Sequence, residues 1–270
     1  MTAPIRLGLV GALGRMGLEI ARAAAGRVDL RVAAAIERAD HPELGVDLAS
    51  RAGAGPTGVI VGADLSRGLA GVNVVVDLSH PSAAAAVADA AAAAGAGLLC
   101  GTTGLPDAAT AAFERAAAAV PVLVTPNLSP GVAVLVELVR RAAAALGPEY
   151  DIEIVEMHHR RKVDAPSGTA LMLAGSASSG RGRIAPSEMC FGRSGRTGER
   201  PSGQIGIHAV RGGSVFGDHR VILAGPHERL EIAHVAESRA LFVEGALRGA
   251  LFLSRARPGR YTMADVLEAK

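Results

Sequence analysis

Arg6-Leu7-Gly8-Leu9-Val10-Gly11-Ala12-Leu13-Gly14-Arg15-Met16-Gly17 is the stretch that decides the fold. Its first five residues read as a strand, its glycines as a turn, and an apolar helical pattern follows over residues 15–25. Glycine lets a backbone turn sharply and approach a phosphate closely. A helix that starts there offers free N–H groups and a positive dipole end to an anion. The spacing is G-x-x-G-x-x-G, so Leu13 stands where the second glycine of the usual G-x-G-x-x-G dinucleotide pattern falls. The context strengthens the motif: a strand before, a helix after, and Glu37 at the end of the second strand, where an acidic residue binds the adenosine ribose. Arg38 follows directly, and its guanidinium suits a 2′-phosphate. The pair predicts tolerance of either NADPH or NADH.

Outward from this turn, short apolar runs alternate with helical patterns. Leu30 to Ile36, Val72 to Asp77, Gly97 to Cys100 and Val120 to Thr125 read as strands, with helices after Pro81 and over residues 107–118. Such alternation predicts a parallel sheet covered on both faces. Ligands of open α/β sheets sit beyond the carboxyl ends of the strands. Asp77-Leu78-Ser79-His80-Pro81, Gly101-Thr102-Thr103-Gly104 and Thr125-Pro126-Asn127-Leu128 all fall there.

The rhythm changes at Pro126-Asn127-Leu128-Ser129-Pro130-Gly131, a plausible hinge. A helix is expected over 131–146, a strand from Asp151 to His158, a helix from Ser167, and a long Gly/Ser/Arg/Pro loop over 178–203. Gln204 to Val210, Val215 to Leu223 and Leu230 to Val235 are closely spaced strands, which predicts an antiparallel or mixed sheet. Helical pattern resumes from Arg239 to Ser254, and Thr262 suits the cap of a last helix.

At 270 residues the chain has room for one large domain or two modest ones. Hydrophobic residues at 49% and charged residues at 20% exclude a disordered chain. Lys plus Arg number 28 against 26 Asp plus Glu, a net charge of +2, too balanced for a nucleic-acid or anionic-membrane protein. Cys100 and Cys190 form no CxxC pair and no zinc-site spacing, so no metal is expected. No signal peptide is evident, and the most apolar region, residues 83–100, carries Asp89 and glycines; a cytoplasmic protein without a membrane span is the expectation.

A second constellation lies in Glu156-Met157-His158-His159-Arg160-Arg161-Lys162-Val163-Asp164-Ala165-Pro166-Ser167-Gly168-Thr169-Ala170. Two histidines can move protons near neutral pH. Three cations follow them, and Ser167-Gly168-Thr169 opens a helix whose N–H groups can hold an anion. The set suits a small carboxylate substrate, although composition alone fits a solvated basic loop with a serine cap equally well.

The run E-x-H-H-x-x-K-x-D-A-P-S-G-T-A closely resembles the signature of the 4-hydroxy-tetrahydrodipicolinate (dihydrodipicolinate) reductase family of the diaminopimelate route to lysine. The resemblance extends through G-A-L-G-R-M-G at 11–17, Glu37-Arg38, D-L-S-H-P at 77–81, G-T-T-G at 101–104, P-N-L-S-P-G at 126–131 and G-R-T-G-E-R at 195–200. It implies an α/β fold: a Rossmann-like doubly wound domain of residues 1–129 and 240–270, with an inserted α+β domain of residues 130–239 carrying the substrate site and homotetramer contacts. By the resemblance, His158 is the proton donor and Lys162 its partner. His159 binds one carboxylate of a small dicarboxylate, and Gly168 and Thr169 hold the other. Gly11, Ala12, Leu13, Gly14, Arg15, Met16, Glu37, Arg38, Gly101, Thr102, Thr103, Thr125, Pro126, Asn127 and Leu128 line the NADPH or NADH site, and closure about the hinge excludes water. Pro126 and Leu128 depart from smaller or aromatic residues common in relatives. The segment from Gly175 to Arg193 is poor in helix formers where relatives often continue a helix.

Two other readings fit part of the sequence. A different two-domain NAD(P) dehydrogenase would share the glycine turn and Glu37, but not the block at 156–170. A dinucleotide sensor would need no proton donor facing an anion clamp. Arg181, Arg183, Arg193, Arg196 and Arg200 lie in a loop with almost no aromatics, and are read as solvated rather than as a nucleic-acid surface.

Overall fold

The computed structural model describes residues 3–182 and 189–269. The chain forms two compact units, Met1–Leu128 with Phe242–Lys270, and Ser129–Leu241. The first run of elements is β1 (Ile5–Val10), α1 (Arg15–Ala24), β2 (Leu30–Ile36), α2 (Leu48–Arg51), β3 (Val61–Gly62), α3 (Leu65–Gly68), β4 (Val74–Asp77), α4 (Ala84–Ala93), β5 (Gly97–Cys100), α5 (Asp107–Ala117) and β6 (Pro121–Val124). Then come α6 (Pro130–Leu146), β7 (Asp151–His158), α7 (Gly168–Gly180), β8 (Met189–Phe191), β9 (Ile205–Arg211), β10 (Asp218–Ala224) and β11 (Arg229–Val235). The chain ends with α8 (Ala240–Leu253), β12 (Gly259–Tyr261) and α9 (Met263–Glu268).

The first unit is a seven-stranded sheet in the order β12-β6-β5-β4-β1-β2-β3. All its neighbouring strands are parallel. Its strands are continuous apolar runs because both faces are buried. On one face Leu98 and Cys100 meet Val87, Ala88 and Ala91 of α4 and Ala112, Phe113 and Ala116 of α5. Alanine predominates in these helices, so they lie close to the sheet. Leu99 alternates to the other face, against Gly249 of α8. Burying each larger side chain contributes about 1.5–3 kcal/mol. The last helix begins with a capping box, Thr262 and Asp265 bonding reciprocally.

The second unit is a mixed sheet ordered β11-β10-β7-β9-β8. The close hairpin strands β10 and β11 are antiparallel, as are β10 and β7, whereas β7, β9 and β8 run parallel. β7 alternates strictly: Ile152, Ile154, Glu156 and His158 are buried, and their neighbours only half so. The buried face packs on Leu135, Val139 and Ala143 of α6 and Ala170, Leu173, Ala174 and Ala177 of α7. Ser129 and Ser167 cap these helices, each hydroxyl accepting the N–H three residues on.

Three expectations need correction. The helix from Ser167 persists to Gly180 despite its poor formers, because packing on α6 and β7 outweighs propensity. Within the expected loop, β8 pairs with β9; residues 183–188 of that loop, Arg183 among them, lie outside the described residues. Its arginines are not simply solvated. Arg193 and Arg200 donate to Glu153, Arg200 also to Asp151, and His208 meets the same Glu153 at 2.7 Å. Burial pushes Glu153 up, but the hydrogen bonds from Arg193, Arg200 and His208 outweigh it, hold the carboxyl at about 2, and tie the loop to the sheet. Arg181 donates to the carbonyls of Gly147 and Tyr150. The short elements α2, α3, β3 and β12 carry no apolar period; α2 and α3 exist through the Asp47 and Asp64 caps.

Candidate active site

In the first unit, strand register gathers one set of candidate residues. Val10 pairs with Ile36 and with Asp77, Asp77 with Cys100, and Cys100 with Val124. The residues that follow these five strand ends therefore share one edge of the sheet. They are Gly11–Met16, Glu37 and Arg38, Leu78–His80, Gly101–Thr103 and Thr125–Leu128.

The glycine turn is tight. A Cβ at Gly11 (φ +75°) would lie 2.7 Å from the Leu78 carbonyl oxygen, and one at Gly17 2.5 Å from that of Ala12. Only bare backbone fits there, and the start of α1 is left open to an anion. Glu37 reaches the turn, accepting the Leu13 N–H at 3.1 Å. Arg38 is exposed and faces Asp40 at 3.3 Å. Thr102 donates to the Ser79 carbonyl, which locks two of the loops together. Thr125 donates to the Asn127 carbonyl and accepts its N–H. Arg15, Gly14, Thr103 and Pro126 are exposed. Ala12 and Leu128 are buried, Leu128 beneath Gly101. These residues fit a dinucleotide pyrophosphate and ribose.

In the second unit, a separate cluster lies at one end of the strands of its sheet, where His158 pairs in register with Arg211 and Met157 with Asp218. The Glu156 side chain has no exposure and binds His158 Nδ1 at 2.6 Å. Arg211 donates to both oxygens of the same carboxylate at 2.8 Å, and the Ser167 N–H donates at 3.1 Å. Burial opposes ionisation of Glu156, but Arg211 and His158 hold it below the usual carboxylate range. Burial also pushes His158 below the ordinary imidazole value, with Glu156 pulling the other way.

His219 stacks edge-on against His158 with ring centres 5.2 Å apart, and its Nε2 meets Ser167 Oγ at 3.1 Å. Lys162, four residues after His158, pairs with Asp164 at 2.9 Å. The turn at 159–162 is held by the Lys162 N–H on the His159 carbonyl. His159 is half-buried, and its Nδ1 is buried without a hydrogen-bond partner among the described residues. Gly168 and Thr169 form the first turn of α7, where N–H groups lack intrahelical acceptors. The structure thus places His158, His159, Lys162, Gly168 and Thr169 in one unit, and the fifteen residues expected at the dinucleotide in the other. No group of His, Cys, Asp and Glu suited to a metal occurs among the described residues.

The sequence matches the family described as "Dihydrodipicolinate reductase, N-terminus" over residues 5–128 and "Dihydrodipicolinate reductase, C-terminus" over residues 131–267. The chain belongs to the dihydrodipicolinate reductase family. It is 48% identical over 259 residues to a protein of Anaeromyxobacter dehalogenans named 4-hydroxy-tetrahydrodipicolinate reductase, covering 96% of each chain. A Rubrobacter xylanophilus protein of the same name is 45% identical over 265 residues, 98% of this chain and 99% of that one. Among solved structures, the dipicolinate-bound dihydrodipicolinate reductase of Paenisporosarcina sp. TG-14 superposes with a TM-score of 0.74 at 23% identity. It covers 96% of this chain and 97% of its own, and shares the fold.

In this family member, sequence reasoning assigned no role to Glu156, Arg211 or His219, and gave Ser167 only the opening of the helix. A signal for Glu156 was present: it is the one carboxylate in the buried half of the alternating run DIEIVEMH. Arg211 and His219 lie more than fifty residues further on, and only the register brings them there.

His219 gives this site a measurable acid sensitivity. Burial pushes its imidazole down to about 4. Well above pH 6.5 it is neutral in both states and costs nothing. As pH falls from there towards 4, the unfolded chain takes a proton that the native state refuses, and stability is lost. His219→Gln can keep a hydrogen bond to Ser167 and should flatten this fall, by up to ~3 kcal/mol between pH 7 and 4. Urea unfolding at several pH values measures it; parallel curves for the two proteins would show that His219 does not titrate in this way.

Proposed function

We propose that this chain reduces 4-hydroxy-tetrahydrodipicolinate to tetrahydrodipicolinate with NADPH or NADH, in the diaminopimelate route of lysine biosynthesis. The observation that carries the reading is the near full-length match to reductases of that name. Loss of the 4-hydroxyl group as water leaves a C=C conjugated with the ring imine; a bound nicotinamide would supply the hydride that adds to it, and a proton completes the reduction. Gly11–Met16 hold the pyrophosphate at the start of α1, Glu37 takes the ribose hydroxyls, and Arg38 receives a 2′-phosphate. Residues 101–103 and 125–128 place the nicotinamide half.

His158 delivers the proton and Lys162 supports it. Burial lowers His158 in the free protein, and the negative charges of a bound dicarboxylate favour its imidazolium. The proton is therefore acquired where it is used. His159 binds one carboxylate, and the N–H groups of Gly168 and Thr169 clamp the other. The helices of the second unit cover one face of its sheet; the opposite face carries half-buried Val155, Met157 and Ile222. That face supports self-association, and we propose a homotetramer, working in the cytoplasm. No described helix is long and apolar enough to cross a membrane.

The test is a coupled absorbance assay. Aspartate semialdehyde and pyruvate, with the preceding synthase, generate the unstable substrate in the cuvette. Oxidation of NADPH or NADH that requires both the synthase and this protein is expected. Intact dinucleotide binding with no oxidation would overturn the assigned substrate.

A further inference from the structure

We propose that Glu156 is a positioning residue that fixes the tautomer of His158 and fastens it to the start of α7. The proposal rests on the reading of His158 as proton donor and assigns what prepares it. Glu156 occupies a buried position that its β7 neighbours Ile152 and Ile154 give to hydrocarbon. An ionised carboxylate there is strongly disfavoured unless its lone pairs are met. They are met by four donors: Arg211 Nη1 and His158 on Oε2, Arg211 Nη2 and the Ser167 N–H on Oε1. A carboxylate has about four acceptor sites, so none is left for substrate, and Glu156 acts through His158.

An ionised carboxylate only accepts. The 2.6 Å contact therefore requires the proton of neutral His158 to sit on Nδ1, which leaves the lone pair on Nε2. Nε2 makes no hydrogen bond among the described residues, and the space before it is kept by a glycine. A Cβ at Gly217 would lie 2.9 Å from Nε2. Nε2 is thus the atom that takes up and gives the proton. The other oxygen of Glu156 holds Ser167, whose hydroxyl caps α7, so donor and anion clamp share one anchor.

The charged and titratable groups facing His158 are Glu156 on β7, Arg211 from β9, His219 from β10 and Lys162 from the loop. Glu156 alone favours the imidazolium. Arg211 and Lys162 disfavour it.

The experiment uses the full chain with ¹⁵N-labelled histidine, and NMR correlations through the ring nitrogens, with His158→Gln for assignment. The wild-type protein should show His158 protonated on Nδ1 with a bare Nε2 at neutral pH. This part needs no Glu156 variant, and it stands whatever the substrate proves to be. Glu156→Gln can donate as well as accept, so the tautomer lock should be lost and His158 should titrate at lower pH. In the coupled assay, kcat should fall about 10-fold or more. Its alkaline limb should move down with the NMR titration, while the dinucleotide KM stays unchanged. An Nε2–H tautomer in the wild-type protein would overturn the proposal. So would a folded Glu156→Gln protein with wild-type tautomer, titration and pH profile. Absent reductase turnover in the wild type would instead count against the assigned reaction.

Discussion

His158→Gln should lower kcat by about 10²–10⁴-fold, the usual contribution of a positioned general acid, and leave dinucleotide affinity unchanged. Glutamine approximates the size of imidazole and can still bond Glu156, so the buried network is disturbed little. It cannot be protonated, so the developing negative charge on the ring nitrogen would have to wait for water. The imidazole belongs to the unit at Ser129–Leu241, whereas the glycine turn belongs to the other. Cofactor binding and proton delivery are therefore separable measurements. Steady-state kinetics paired with a fluorescence titration of NADPH decides the matter; full turnover in the variant would remove His158 from the proton path.

Gly17→Ala should do the reverse. Its Cβ would sit 2.5 and 2.6 Å from the carbonyl oxygens of Ala12 and Gly11. Both are backbone atoms in the turn itself, and they cannot yield as a flexible side chain would. Either α1 slides outward or the turn opens, and both outcomes misplace the N–H groups proposed to hold the pyrophosphate. Such overpacking typically costs about 1–3 kcal/mol of stability. The dinucleotide Kd should rise by about 30-fold or more, roughly 2 kcal/mol of lost binding. Thermal unfolding and the NADPH titration together measure this. A variant of unchanged Kd would mean that the pyrophosphate is bound elsewhere.

These two residues illustrate what was legible in the sequence. The strand–turn–helix around Gly11–Gly17, the run Leu30–Ile36 and the alternation in Asp151–His158 each carry a period strong enough to place an element. Glu37 was findable because the carboxylate binds the turn at a recurrent distance along the chain. Other features depend on partners far away in sequence. β12 has three residues and exists because β6 offers an edge. The last residues of α7 are held by packing rather than propensity. Arg211 completes the Glu156 site across 55 positions, a pairing that no local pattern encodes. The basic loop misled for the same reason: Glu153, the acceptor that organises it, sits on a different strand.

The order of the strands in the seven-stranded sheet also has a temporal meaning. Residues 129–241 are contiguous, so all the partners of the second unit emerge from the ribosome together. The first unit has no such convenience. Its edge strand β6 is complete at Val124, but the strand that covers it, β12, is made of residues 259–261. Helix α8, which packs behind Leu99, is also translated late. The inserted unit can therefore finish folding while the older, N-terminal half still waits with one flank uncovered. Completion of the nucleotide-binding sheet becomes a late, long-range step of the kind that sets slow folding rates. The flank of the sheet beside β6 is thus closed by residues that lie more than a hundred positions further along the chain.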